Sequence, residues 1–79
     1  MRYKGFWRKT IPTAILALGG DAYNSDIYEW IESHIQLTHY ELSESYRRHR
    51  YRHTVRGILD DMSKEGYLVK IERGHYKLP

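Results

Sequence analysis

The sequence predicts an α+β domain of three helices, one short strand and a C-terminal β-hairpin. Three observations support this class: apolar residues at helical spacing, glycines where helices would end, and two short alternating runs around an Arg-Gly dipeptide. A chain of 79 residues has room for one modest core. We therefore expect a single domain over residues 1–79, with its core between about residues 10 and 78.

The stretch TIPTAILALGG predicts a short, largely buried helix over residues 11–18. Pro12 stands where a first-turn proline belongs, and Gly19-Gly20 stand where a helix stops. Residues 22 and 23 then form a very short strand.

A second helix is predicted from Asn24 or Ser25, the two candidate N-caps. Its apolar stripe contains Ile27, Trp30, Ile31, His34 and Ile35. Residues 36–46 are polar and irregular, and the run from Thr38 to Glu41 fits a capping box with one extra helical turn.

The third helix is predicted from about His49 to Lys64, with Gly66 as its left-handed C-cap. Its buried stripe contains Val55, Ile58, Leu59 and Met62, extended backward to Tyr51. YLVKIE and HYKLP then form a hairpin around Arg73-Gly74. This order of elements is typical of a winged helix-turn-helix domain. The expected core residues are Ile15, Leu18, Ile27, Trp30, Ile31, Val55, Ile58, Leu59, Met62, Leu68 and Tyr76.

Composition excludes several classes of protein. The chain has no cysteine, which rules out disulfides and thiolate metal sites. Its longest apolar run, residues 14–18, is far shorter than the roughly 20 residues that span a bilayer. Residues 1–20 do not resemble a signal peptide. We therefore expect a soluble cytoplasmic protein that makes no membrane contact.

Charge is strongly segregated along the chain. Residues 1–20 carry four basic side chains and no acid, whereas residues 21–46 carry six acids and neither lysine nor arginine. The next ten residues, RRHRYRHTVR, contain five arginines, two histidines and no acid. Such segregation predicts a molecule with two differently charged faces, and the basic face suits an anionic polymer.

The arginine-rich stretch begins the third helix, which makes this helix a candidate to enter the major groove of DNA. On a helical wheel His49, Arg50 and His53 point away from the apolar stripe, with Gly57 and Asp60 on the same face. Arginine forks can bind guanine or phosphate with two hydrogen bonds. The predicted contacts in and before this helix are Arg47, Arg48, His49, Arg50, Arg52, His53, Thr54 and Arg56. The predicted contacts in the wing are Lys70, Arg73, His75 and Lys77.

Within the third helix, Arg52 and Arg56 are expected to favour particular base pairs. His53, Thr54 or Tyr51 could contact the methyl group of thymine or 5-methylcytosine. Solvated arginine faces are common, and the clustering at a predicted recognition helix beside a basic wing is what favours nucleic acid. Tyr40, Tyr46 and Tyr51 flank the arginines and are candidates for base stacking.

Other chemistry has little support. His49 and His53 lie four apart but lack a third ligand, so we expect no metal site and no cofactor. His34 is expected to be half-buried, while His39 and His75 are expected at the surface or in contacts. Trp30, Tyr67 and Tyr76 are assigned to the core. No phosphate-binding loop or nucleophile motif is present, which indicates a binding domain rather than an enzyme.

The motifs LALGGDAYNSDIYEWI and RYRHTVRGILDDMSKEGYLVKIERGHYKL resemble the N-terminal winged-helix domain of Mrr-type restriction proteins and related modification-dependent endonucleases. The resemblance covers residues 11–78 and rests on motifs that many winged helices share in part. It implies a DNA-reading module, in a prokaryotic restriction system, that senses sequence or methylation. It also implies a nuclease domain elsewhere in a longer chain.

Two other readings remain open. One is a free-standing winged-helix transcription regulator, for which a homodimer is an option. The other is a protein-interaction winged helix in which the acidic second helix provides the contact surface. Salt-dependent binding to duplex DNA, methylated or unmethylated, separates both DNA-binding readings from the third.

Overall fold

A computed structural model of the protein describes residues 2–79. The elements, in chain order, are α1 (Lys4–Ala17), β1 (Asp21–Tyr23), α2 (Asn24–His34), α3 (His39–Leu42), β2 (Glu44–Ser45), β3 (Arg48–His49), α4 (Arg50–Lys64), β4 (Val69–Glu72) and β5 (His75–Lys77). The prediction of a small α+β domain with three main helices and a C-terminal hairpin is confirmed. No helix within residues 2–79 is long and apolar enough to cross a lipid bilayer.

The C-terminal hairpin forms an antiparallel sheet with the short strand β1, in the order β1-β5-β4. Tyr76 of the central strand β5 is paired with Ala22 on one side and Lys70 on the other. Arg73 and Gly74 form the predicted turn, in which Gly74 has a φ of 76°. The backbone N–H of Asn24 donates to the Gly74 carbonyl at 2.8 Å, so the start of α2 is attached to this turn.

The predicted N-cap of α2 is wrong. The helix begins at Asn24 itself, and its cap residue, Tyr23, makes no side-chain cap hydrogen bond. The backbone bond from Asn24 to the distant Gly74 satisfies one of the N–H groups that a cap would otherwise satisfy. Because Asn24 and Gly74 are about fifty positions apart, the sequence around Asn24 does not indicate this hydrogen bond.

One cluster of buried side chains joins α1, α2 and α4 to the sheet. Nine of the predicted core residues are buried, namely Ile15, Ile27, Ile31, Val55, Ile58, Leu59, Met62, Leu68 and Tyr76. The prediction that Leu18 is buried is wrong, because α1 ends at Ala17 and leaves Leu18 38% exposed. Trp30 is only half-buried and stacks on His34, which is exposed rather than half-buried. Tyr67, assigned to the core, is also exposed.

Helix α1 begins seven residues earlier than predicted, at Lys4, so that Pro12 lies inside it. The cause is Trp7, which is buried and stacks on Tyr51 of α4 with ring centroids 6.0 Å apart. An interior proline costs about 3 kcal/mol or more. Burial of a large aromatic ring offsets much of this cost.

The connection between α2 and α4 contains structure that the sequence signals only in part. The capping box is confirmed: Thr38 Oγ1 accepts from the Glu41 backbone N–H at 3.1 Å, and Glu41 Oε1 accepts from the Thr38 N–H at 2.8 Å. Strands β2 and β3 then form a small hairpin that was not predicted. As a result α4 starts at Arg50, one residue later than expected.

Candidate functional site

A groove of about 800 Å³ lies between one side of α4, the start of α2 and the β4–β5 hairpin. Residues from three separate stretches of the chain, 24–28, 48–60 and 70–76, line it. We call it the basic groove, after its five basic side chains, Arg48, Arg52, Arg56, Lys70 and Arg73. All five were predicted as contact residues, and the structure brings them together.

Helical spacing places two arginines of the basic groove on one side of α4. Arg52 and Arg56 lie four residues apart and therefore project from the same face, and Arg48 precedes them in β3 at the same interval. Tyr28 of α2 lies against them. Burial raises the pKa of the Tyr28 hydroxyl, and the positive charges of Arg56, Arg52 and Arg48 act in the opposite direction.

Three of these five groups have no acidic partner. Within residues 2–79, no carboxylate lies within ion-pairing distance of Arg48, Arg56 or Arg73. Arg48 and Arg56 are exposed, as is Arg73, so their guanidinium groups are accessible to an anion. Lys70 is 3.6 Å from Asp60, a long ion pair.

Arg52 differs from its neighbours because it is already bound. One of its terminal nitrogens donates to Glu32 Oε2 at 2.7 Å, and its guanidinium lies 5.0 Å from the Tyr28 ring centroid. Its Nε atom is covered and has no hydrogen-bond partner among the described residues. Arg52 therefore joins α4 to α2, and it is less available to a ligand than Arg56.

Two acids also line the basic groove, and both are held by tyrosines. Asp60 accepts a hydrogen bond from the Tyr76 hydroxyl at 3.1 Å, and Glu72 accepts one from Tyr23 at 3.0 Å. Burial, together with the nearby Asp60 carboxylate, raises the pKa of Tyr76 to about 12. The five basic side chains outnumber these two acids, so the lining of the groove has a net positive charge.

The remaining contacts predicted in and before α4 lie outside the basic groove. His49 Nδ1 is 2.6 Å from the Leu42 carbonyl oxygen, and His53 Nε2 is 2.9 Å from the Ser45 carbonyl oxygen. Arg50 donates from Nε to Ser43 Oγ at 2.9 Å. Arg50 and His53 thus attach α4 to the preceding segment, and His49 attaches β3 to the end of α3. The preceding segment covers part of the α4 face that was predicted to point outward. Thr54 is exposed but does not line the groove.

Two residues of the predicted wing also lie outside the groove. His75 is mostly covered: its Nε2 atom is 2.7 Å from Asp21 Oδ2, and its ring stacks on Tyr23 with a centroid distance of 4.2 Å. This position follows from the central place of β5 in the sheet. Lys77 is exposed elsewhere on β5.

The three tyrosines considered for base stacking have different environments. Tyr51 is buried, and its hydroxyl donates to Glu32 and contacts the Tyr28 carbonyl oxygen, which removes it as a stacking candidate. Burial and the Glu32 carboxylate strongly raise the pKa of Tyr51. Tyr40 is exposed beside the Arg50 guanidinium, at 5.0 Å from its ring centroid, and Tyr46 is the most exposed of the three.

Glu32 should make stability depend on pH. Burial opposes ionisation of this carboxylate, but hydrogen bonds from Tyr51 and Arg52 outweigh it and lower the pKa of Glu32 below 4.5. A lowered pKa in the folded state gives stability that is complete above pH 4.5 and is lost as the pH falls through the folded value. We expect Glu32→Gln to cost about 0.2–1 kcal/mol at pH 7.

Urea unfolding from pH 7 to pH 3 measures the difference in free energy of unfolding between the parent and Glu32→Gln. This difference should shrink below pH 4.5, because protonated Glu32 and glutamine are both neutral. A difference that stays constant over this range would contradict the assignment.

Sequence reasoning missed the contribution of α2 to the basic groove. Asn24, Ser25 and Tyr28 line it, and no local pattern shows that the start of α2 lies beside the β4–β5 turn.

Among residues 2–79, no group of three or more histidine or acidic side chains is arranged to hold a metal ion. Comparisons with protein-family models, curated proteins and solved structures found no match to this chain.

Proposed function

We propose that the protein binds double-stranded DNA and that a phosphodiester backbone lies in the basic groove. The observation that carries this proposal is the convergence of Arg48, Arg56 and Arg73, none paired with an acid, on one open groove. Guanidinium groups bind phosphate oxygens through two parallel hydrogen bonds. The start of α2 lines the same groove, and the positive end of its dipole also favours phosphate.

The finer fold assignment that accompanies this proposal is a winged helix. The sheet order β1-β5-β4 and the position of the β4–β5 hairpin beside α4 support it. In this arrangement α4 is the recognition helix and β4–β5 is the wing, with Arg73 at its tip. Residues 35–49 connect α2 to α4, a longer connection than the three- or four-residue turn of simple helix-turn-helix motifs.

Base recognition is assigned to the accessible side of α4. Gly57 follows Arg56, whose guanidinium is assigned to phosphate, and leaves room for a base to approach, because an added Cβ atom there would meet nothing within 4 Å. Thr54 is exposed and remains the candidate for contact with a methyl group, while His53 is engaged with Ser45. Together with the resemblance to Mrr-type domains, this supports a sequence- or methylation-sensing module of a restriction endonuclease. Competition between duplexes that differ in one cytosine methyl measures this preference.

Replacement of Arg56 by alanine tests the groove as the binding site. Removing one phosphate-binding group reduces the slope of log K against log salt by about 0.9, so the variant should show a slope smaller by about one. Fluorescence anisotropy of a labelled duplex across a salt series measures the slope. Lys9→Ala removes the same charge from the exposed side of α1 and should leave the slope nearly unchanged.

A second candidate function is protein interaction through α2. A smaller groove of about 240 Å³ contains the half-buried Trp30 and the exposed Leu18 beside the acids Asp26 and Glu29. This surface suits a basic peptide that contributes an apolar side chain. Duplex binding that depends on salt and on Arg56 favours the DNA-binding proposal, including its transcription-regulator form. Absence of duplex binding by the parent favours protein interaction.

A further inference from the structure

The tip of the β2–β3 hairpin has an unfavourable backbone conformation. Pairing of Glu44 with His49 and of Ser45 with Arg48 leaves Tyr46 and Arg47 as a two-residue connection. Both have positive φ angles, 52° and 65°. Connections of this kind usually contain Asn-Gly, because residues with larger side chains are strained there. Strain of this kind is concentrated at functional sites.

The hairpin is attached to α4 although its tip is open to solvent. The His53 ring contacts the Ser45 carbonyl oxygen, and the Arg50 backbone N–H donates to the Ser43 carbonyl at 2.9 Å. Tyr46 is 90% exposed, and its ring makes an edge contact with the His53 ring of α4, at 6.2 Å between ring centroids. The large aromatic ring of Tyr46 is thus exposed to solvent on a hairpin that is attached to α4.

The tip also lies next to the basic groove. Arg48 follows it directly and lines the groove, which Arg73 of the β4–β5 turn lines as well. Two hairpins therefore border the same groove. Within residues 2–79 no acid forms an ion pair with Arg47 or Arg48.

We infer that the Tyr46–Arg47 tip is a base-stacking element: Tyr46 contacts the face of a nucleobase, and Arg47 binds the phosphate beside it. This inference rests on the proposed binding of DNA in the basic groove. An uncharged aromatic ring beside arginines that lack acidic partners matches a ligand that alternates flat bases with phosphates. A base that is already unpaired should be the preferred target, because no base pair has to be broken before the ring contacts it.

The test uses two labelled duplexes of the same sequence, one fully paired and one with a single unpaired 2-aminopurine. The parent should bind the second duplex more tightly and change its 2-aminopurine fluorescence. Tyr46→Asn keeps the net charge and suits the left-handed backbone. It should lose about tenfold in affinity for the unpaired duplex, with a Tm equal to or above that of the parent.

Two further variants separate stacking from other effects. Tyr46→Phe keeps the ring and should bind within about twofold of the parent. Tyr67→Asn alters an exposed tyrosine beyond the other end of α4 and should bind like the parent. Equal affinity of Tyr46→Asn and the parent for both duplexes would overturn the inference, as would loss of binding in Tyr46→Phe.

The same data separate this inference from the proposed function. If Arg56→Ala weakens binding while Tyr46→Asn does not, the groove remains the DNA site and the stacking role of the tip is refuted. If the parent binds neither duplex, the proposed function is refuted and the inference falls with it.

Discussion

Replacement of Arg48, Arg56 and Arg73 together by alanine should nearly abolish binding to duplex DNA at moderate salt. Each contributes a guanidinium without an acidic partner to the basic groove. Removal of three phosphate-binding groups lowers the salt slope by about 2.7. If the affinity extrapolated to 1 M salt is unchanged, this corresponds to about a 500-fold decrease in affinity at 0.1 M salt.

A matched triple variant controls for net charge. Lys4, Lys9 and Lys64 are exposed and lie outside the basic groove, so their replacement by alanine removes the same charge from other surfaces. Anisotropy titrations of both triple variants over a salt series, with circular dichroism to establish folding, make the comparison. Similar slopes for the two triple variants would show that binding depends on overall charge and not on the groove.

Replacement of Leu59 by alanine should destabilise the domain by about 2–5 kcal/mol. Leu59 is completely buried on the apolar face of α4, within the cluster that joins the helices to the sheet. Truncation removes apolar contacts and leaves a cavity that a packed core closes only in part. Because small domains have about 5–15 kcal/mol of total stability, the loss is a large fraction.

Leu16→Ala provides the matched control for this prediction. It makes the same chemical change in a helix, at a position that is 67% exposed, and should change stability by about 0.5 kcal/mol or less. Urea unfolding of both variants measures the two free energies. Equal effects at Leu16 and Leu59 would contradict the assigned core face of α4.

Local signals were sufficient for much of the fold. The stripe from Val55 to Met62 and the glycine at 66 defined α4 to within one residue at its start, because a helix that packs on one side needs apolar residues at intervals of three and four. The Arg73-Gly74 dipeptide placed the C-terminal hairpin for a comparable reason: a two-residue turn needs a residue that adopts positive φ.

Other elements depended on contacts between distant residues. Proline chemistry predicted a helix start near Pro12, but burial of Trp7 against Tyr51 extends α1 to Lys4. The β2–β3 hairpin has Tyr46 and Arg47 where turn propensities favour asparagine and glycine, so no sequence pattern indicated it. The position of this hairpin depends on hydrogen bonds that join Ser43 and Ser45 to Arg50 and His53 of α4.

For the candidate site, the sequence alone determined which charges are present and that the arginines begin a helix. Only the tertiary structure decided which of them share a surface. Arg48, Arg56 and Arg73 meet because the β4–β5 turn is attached to the start of α2 beside α4. Arg52, indistinguishable from Arg56 by pattern, is engaged by Glu32 instead. Helical periodicity fixes the direction of a side chain along one element, whereas its partners depend on how separate elements pack.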